Sequence, residues 1–198
     1  MVYTYVYYDA QGTPKGYMTF KTGRDMEKID CKRFLFVDRE GLGGLMNLLR
    51  TMASRHALVT LCLPTDVELG GLLPEWSLDR IECSREQAGM VRVVNVEAAL
   101  RMAKMRGTGS LTIEIKDGQI APNNGRFTVC YEAGRTTGVV RTDAPCDISM
   151  PVEAFSRLIC GRCDRNTIAF LPGVNVYTES EQTGNVFYRK PMYITRHF

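Results

Sequence analysis

The sequence predicts an α+β fold in two units: a partial α/β unit over residues 1–84, then a domain with a mainly antiparallel sheet and flanking helices over 85–198. Three observations carry this. Periodic segments in the first part run in the order β-β-β-α-β-α. From Met90 to Gly161 a helical stretch, glycine-punctuated β runs and a second helical stretch succeed one another, enough for a compact module with its own core. Between the two parts, Ser84 to Gly89 has no apolar period and reads as a link.

The elements follow from side-chain spacing. Val2 to Tyr8 is β-branched and aromatic, with Tyr3, Tyr5 and Tyr7 on one face of a strand. Asp9, Gly12, Pro14 and Gly16 supply turn chemistry, and Tyr17 to Lys21 returns, so residues 2–21 form a hairpin. A third strand spans Arg33 to Val37. Leu45, Leu48, Leu49 and Met52 then recur at helical spacing, placing a helix from about Gly43 to Arg55. Ala57 to Leu63 is wholly apolar, as a strand buried on both faces would be, and Pro64 ends it before a short helix capped by Thr65 or Asp66.

In the second part Asn95 is an N-cap, and Val96, Ala99, Leu100 and Ala103 line one face of the helix it opens. Leu111–Ile115, Arg126–Tyr131, Thr137–Arg141 and Asp147–Met150 read as strands. Pro151 starts a helix whose apolar face is Val152, Phe155, Leu158 and Ile159, and Gly161 stops it. A short strand is expected near Ile168, followed by a tail of brief apolar pieces that must dock on something larger.

Composition narrows the function classes. The formal charge is +3, and the 25 basic residues are spread along the chain without a run, so no nucleic-acid partner is expected. No apolar stretch approaches the roughly 20 residues that span a bilayer, and the N-terminus has no secretory pattern. Seven cysteines, an odd number, fit a reducing compartment. The expected location is the cytoplasm, with no membrane span.

Candidate chemistry is sparse. Cys160-Gly-Arg-Cys163 is a CxxC, but no second ligand pair accompanies it and it closes a helix, whereas a redox pair opens one. It reads as two small buried side chains, and no metal is expected. His56 has no visible catalytic partner, Asp117 and Asn123–Asn124 are turn formers, and the hairpin tyrosines are packing residues. The tail is different. Phe187, Tyr188, Met192, Tyr193, Ile194 and Phe198 make it too apolar to float, while Arg189, Lys190, Arg196 and His197 surround its end. A packed tail would fix the α-carboxylate of Phe198 in space, where it can act as a base.

These segments together resemble the enhanced intracellular survival family of acetyltransferases. The matching pieces are YVYYDAQGTPKGYMTF and LVTLCLPTDVELGGLLPEW in the first part. In the second they are GMVRVVNVEAAL, IEIKDGQIAPNNGRFTV, DISMPVEAFSRLICG and FYRKPMYITRHF. The resemblance departs at Asn95, where aspartate is common, and at Pro122, where tryptophan often precedes the asparagine. It implies a degenerate second GNAT-like domain, truncated at its start, over 1–84 and a sterol-carrier-protein-like domain with the C-terminal tail over 85–198. It also implies a first GNAT domain outside this chain, holding the acetyl-CoA site.

Position for position, the resemblance gives the Phe198 terminal carboxylate the role of general base in the complete enzyme. The implied function is the C-terminal region of an acetyl-CoA-dependent amine N-acetyltransferase, assembled as a homo-oligomer, with an aminoglycoside-, polyamine- or lysine-type acceptor. The fragment alone would be inactive and would hold no cofactor. GNAT enzymes seat acetyl-CoA on an Arg/Gln-x-x-Gly-x-Gly/Ala turn. Arg39-Glu-Gly41-Leu-Gly43-Gly44 resembles one, but its register puts Asp38 where the basic residue belongs, which would repel a pyrophosphate. The alternative function is a lipid or apolar-ligand module of sterol-carrier type, with its ligand between the sheet and the helices at 95–105 and 151–160.

Overall fold

The computed structural model describes residues 2–23, 28–72, 81–84 and 89–193. Over the described residues the fold is α+β, with two sheets and five α-helices. Of the described residues, those up to Gly89 together with Tyr193 form one compact unit and Met90–Met192 form the other.

The first unit is a four-stranded sheet of β1 (Val2–Tyr8), β2 (Pro14–Thr22), β3 (Lys28–Phe36) and β4 (Leu58–Leu61), in that spatial order. The first three strands are antiparallel, and β4 joins β3 in parallel after the crossover helix α1 (Arg39–Met52). Alternation decides which face α1 covers: Met18, Phe20, Ile29, Cys31 and Phe34 meet Leu42, Leu45 and Leu49 in one apolar cluster. Tyr3 and Tyr5 stack on Phe20 with ring centroids 5.4 and 5.9 Å apart.

Three expectations about this unit are corrected. Helix α1 starts at Arg39 rather than Gly43, because Asp38 caps it and its three glycines lie inside the helix. Strand β4 is not buried on both faces: Leu58 is 56% exposed, and among the described residues β4 is an edge strand paired with β3. In place of a helix capped by Thr65 or Asp66, the described residues after Pro64 form a 3₁₀ turn at Leu69–Gly71, whose preceding residue Glu68 makes no side-chain cap.

The second unit opens with α2 (Val96–Met102), where the Asn95 side chain accepts from Ala98 N at 2.9 Å, as the sequence predicts. Its sheet has the order β7-β6-β5-β8-β9, from β5 (Gly109–Lys116), β6 (Gly125–Glu132), β7 (Arg135–Arg141), β8 (Ile148–Pro151) and β9 (Asn175–Val176). Only the β5–β8 pair is parallel. Between β6 and β7, Ala133 and Gly134 both take positive φ (48° and 83°), the two-residue reversal that matches strand twist.

Helix α3 (Val152–Ile159) lays Val152, Phe155, Leu158 and Ile159 into the core and ends at Gly161, whose φ is 82°. The strand expected near Ile168 is instead a helical turn, α4 (Arg165–Ile168). Asp164 accepts from Thr167 N while the Thr167 hydroxyl accepts from Asp164 N, and that reciprocal box closes a turn of helix. A further short helix, α5 (Glu181–Val186), delivers Val186 and Phe187 into the core with no residual exposure.

Candidate functional site

The glycine-rich turn is the first place the sequence offers for a phosphate. A helix N-terminus attracts an anion because its first N–H groups lack partners. At α1 that seat is already taken by the protein's own carboxylate. Asp38 Oδ1 accepts from Gly41 N at 2.9 Å, and Asp38 Oδ2 pairs with Lys15 Nζ at 2.8 Å. The Lys15 ammonium and the Gly41 amide hold the Asp38 carboxyl below the usual carboxylate range, so at neutral pH it is charged. The glycines serve packing: a side chain at Gly41 would overlap the Lys15 carbonyl, and one at Gly44 the Tyr7 ring. These residues do not fit a pyrophosphate, and no acetyl-CoA step can be routed through this turn.

A second feature of the first unit has no counterpart in the sequence reading. The parallel β3–β4 ladder runs from Lys28↔Leu58 to Cys31↔Leu61 and makes its last direct bond from Cys62 N to Cys31 O at 3.0 Å. Farther along, the Tyr193 hydroxyl stands between the two strands. It accepts from Phe34 N at 3.1 Å and donates to Cys62 O at 3.3 Å. One phenol oxygen thus takes the place of an interstrand hydrogen bond. Partial burial raises the Tyr193 pKa, keeping the phenol protonated and able to donate.

The second unit holds one buried charged cluster. The Asp117 side chain, 0% exposed, accepts from Asn123 Nδ2 (2.9 Å), Gln119 N (2.9 Å), Ile120 N (3.1 Å) and Arg92 Nη2 (2.7 Å). The Asn123 amide, the backbone donors and the Arg92 charge hold its pKa down to about 2. Asn123 also accepts from Val96 N at 3.0 Å, and Ser156 Oγ accepts from Val93 N at 2.9 Å, so the cluster ties the start of α2 to α3 and the end of β5. Asp117, Asn123 and Ser156 are buried, and Arg92, its side chain 32% exposed, reaches in from the surface. Asp117 and Asn123 are turn formers as the sequence suggests, and also a structural rivet, a role the sequence reading missed.

The remaining candidates resolve individually. Cys160 and Cys163 are partly buried thiols packed against the core, and burial pushes the Cys160 pKa up, the opposite of what a redox nucleophile needs. His56 lies in a shallow cleft of about 450 Å³ with Tyr3, Tyr5, Phe20 and Arg55, its buried Nδ1 without a partner and no carboxylate in the lining. Two of the tail cations are committed: Arg189 pairs with Asp164 at 2.7 Å, and Lys190 Nζ donates to Ile159 O at 2.8 Å. A cleft of about 300 Å³ beside them is lined by Arg106, Arg165 and Tyr188. Ile194, Arg196, His197 and Phe198, the expected base, lie outside the described residues. Among the described residues no cluster of three or more His, Cys, Asp or Glu could hold a metal, and no helix is long and apolar enough to cross a membrane.

Comparison with known proteins bears on both units. Residues 96–193 match the family model of the sterol carrier protein domain. No curated protein sequence matches the chain. Among solved structures, a GCN5-related N-acetyltransferase from Anabaena variabilis ATCC 29413 is similar with a TM-score of 0.75 and 16% identity, covering 100% of this chain and 51% of that one. Eis1 from Mycobacterium abscessus gives 0.74 and 18%, covering 92% and 48%. A GCN5-related N-acetyltransferase from Kribbella flavida gives 0.71 and 12%, covering 92% and 46%. At these identities the likeness is one of fold. The chain spans about half the length of the solved structures it matches.

The carrier-like resemblance invites a search for a ligand cavity in the second unit. The space between its sheet and helices α2 and α3 is filled by Leu100, Phe127, Val129, Phe155 and Leu158, members of one continuous cluster. Neither cleft described above enters it.

Proposed function

We propose that this chain is the C-terminal part of an acetyl-CoA-dependent amine N-acetyltransferase of the enhanced intracellular survival type. The reading rests on one observation: structures described as N-acetyltransferases match over 92–100% of this chain while extending to about twice its length. The self-filled N-terminus of α1 is in keeping with this reading, in which the donor is held in a GNAT domain outside residues 1–198. In the complete cytoplasmic homo-oligomer the Phe198 α-carboxylate takes the proton from the acceptor amine as its nitrogen attacks the thioester carbonyl; the C–N bond forms, the C–S bond breaks, and coenzyme A leaves as its thiolate. The acceptor is an aminoglycoside-, polyamine- or lysine-type amine, and the chain alone is inactive.

Deleting Phe198 from the full-length protein tests the base. A positioned general base contributes roughly 10²–10⁴-fold, so turnover should fall by that factor with acetyl-CoA binding retained. Unchanged turnover removes the terminal carboxylate from the mechanism. A second reading, carriage of an apolar ligand, has the sterol carrier family match in its favour and the filled core against it. A fatty-acid titration monitored by tyrosine and Trp76 fluorescence decides it: saturable binding would establish carriage.

A further inference from the structure

We propose that the cleft beside α4 and the end of α5 binds a small dicarboxylate, with the guanidinium groups of Arg106 and Arg165 each taking one carboxylate. The site lies wholly in the second unit and does not depend on the acetyltransferase reading.

The cleft encloses about 300 Å³, and the charged groups of its lining are Arg106, Arg165, Arg189 and Asp164. Asp164 is spent within the protein. Its Oδ2 accepts from Arg189 Nε at 2.7 Å and its Oδ1 from Thr167 N at 3.2 Å. Among the described residues neither Arg106 nor Arg165 has an acidic partner. Three guanidinium groups against one carboxylate leave two positive charges in a single recess. A recess lined by one sign of charge concentrates the opposite ion.

Both free guanidinium groups are held in place before any ligand arrives. Arg106 N donates to Asn185 O at 2.8 Å, and its guanidinium lies over the Tyr188 ring, 4.1 Å from the centroid. Tyr188 follows the fully buried Phe187, which anchors that platform. Stacking uses the face of a guanidinium and leaves the N–H groups along its edge to donate. The Arg165 stem runs against the bare backbone of Gly184, where an added Cβ would stand 3.3 Å from Arg165 Cδ. Side chains laid down in this way lose less freedom when they bind.

Charge and shape together select the ligand. A guanidinium edge matches a carboxylate with two parallel hydrogen bonds. Two such edges on separate segments, with two charges to neutralise, match two carboxylates on one compact molecule. A phosphate is the poorer fit. Phosphate sites draw on free backbone N–H groups at a helix end, and here Asp164 covers those of α4. The recess is also at the small end of the range for ligand pockets, which favours a short chain over a bulky one.

The test titrates succinate into the chain by calorimetry at fixed ionic strength, in a buffer free of carboxylate and phosphate. Saturable binding of one succinate with a Kd below about 1 mM is expected. Arg106→Ala and Arg165→Ala should each weaken it about tenfold or more, since each removes a charge-assisted pair. Arg106→Lys keeps the charge and loses the planar edge, so its affinity should fall between the parent and R106A. Arg50→Ala, at an exposed arginine of the first unit, should change nothing. Acetate and inorganic phosphate should each bind about tenfold more weakly than succinate, or less. Both cleft arginines are exposed, so circular dichroism melts of the variants should match the parent. No saturation by about 10 mM succinate, or unchanged affinity in both alanine variants, overturns the site. Equal weakening in R50A reduces the effect to general charge and overturns it as well. Acetate or phosphate binding as tightly as succinate overturns the dicarboxylate assignment, as does saturation by an Asp/Glu-rich peptide with no response to succinate.

Discussion

The glycines of α1 give the sharpest contrast between packing and ligand binding, and Gly44→Ala tests it directly. A Cβ at Gly44 would stand 2.6 Å from Tyr7 Cγ and nearer still to two other ring atoms, where carbon contacts are comfortable at about 3.5 Å. Either the ring or the helix must withdraw by about 1 Å. Tyr7 is pinned in β1 by its pairing to Gly16 and by its hydroxyl, which donates to Glu40 Oε1 at 3.3 Å, so the ring has little freedom. Overpacking of this kind costs about 1–3 kcal/mol.

Gly43, one residue earlier, has nothing within 4 Å of an added Cβ. There alanine should stabilise by roughly 0.5–1 kcal/mol, because glycine is the poorer helix former. Urea denaturation followed by circular dichroism should therefore place G44A below and G43A above the parent chain. Coenzyme A added to the chain should leave all three midpoints where they are. Equal stability of G44A and G43A, or a midpoint raised by coenzyme A, would refute the packing account and restore a ligand role to the turn.

Other consequences are as direct. Asn123→Ala leaves the buried Val96 N–H without its acceptor and removes a donor from Asp117. At ~1–3 kcal/mol per stranded group the cost is about 3 kcal/mol, which a thermal melt of the second unit would report as a drop of roughly 12–24 °C. Because the Asp117 carboxyl is depressed to about 2, its contribution is complete above the unfolded value of roughly 3.9. That contribution disappears as pH falls between those values. Asn123→Asp should reverse the slope: it sets two carboxylates against each other, so this variant gains on the parent as pH falls from 7 to 5, and parallel pH curves would contradict the assignment. Cys160 should react with a thiol reagent at pH 7 at least tenfold more slowly than the exposed Cys130, which mass spectrometry of the labelled peptides can measure.

Much of the fold was legible in the sequence because its signals are local. The 2–21 hairpin, the Asn95 cap, the Pro151 start and the Gly161 stop each depend on residues within a few positions of one another. The errors arose where a local signal has two meanings. Three glycines after a strand read as a loop, yet Asp38 caps them into a helix that needs their small size against Lys15 and Tyr7. The apolar run at 57–63 read as a central strand, although hydrophobicity does not reveal how many neighbours a strand has.

The sequence by itself determined the α+β class, the hairpin at 2–21, the Asn95 cap and the acidic residue that spoils the phosphate turn. Only the tertiary structure decided that Asp38 fills that turn, that Asn123 and Asp117 rivet α2 to β5, and that the Tyr193 phenol closes the gap between β3 and β4. The physical reason is separation along the chain. Tyr193 lies 159 residues from Phe34 and 131 from Cys62, and a hydrogen bond over that distance leaves no period or spacing to read; it exists only once the backbone has folded around it.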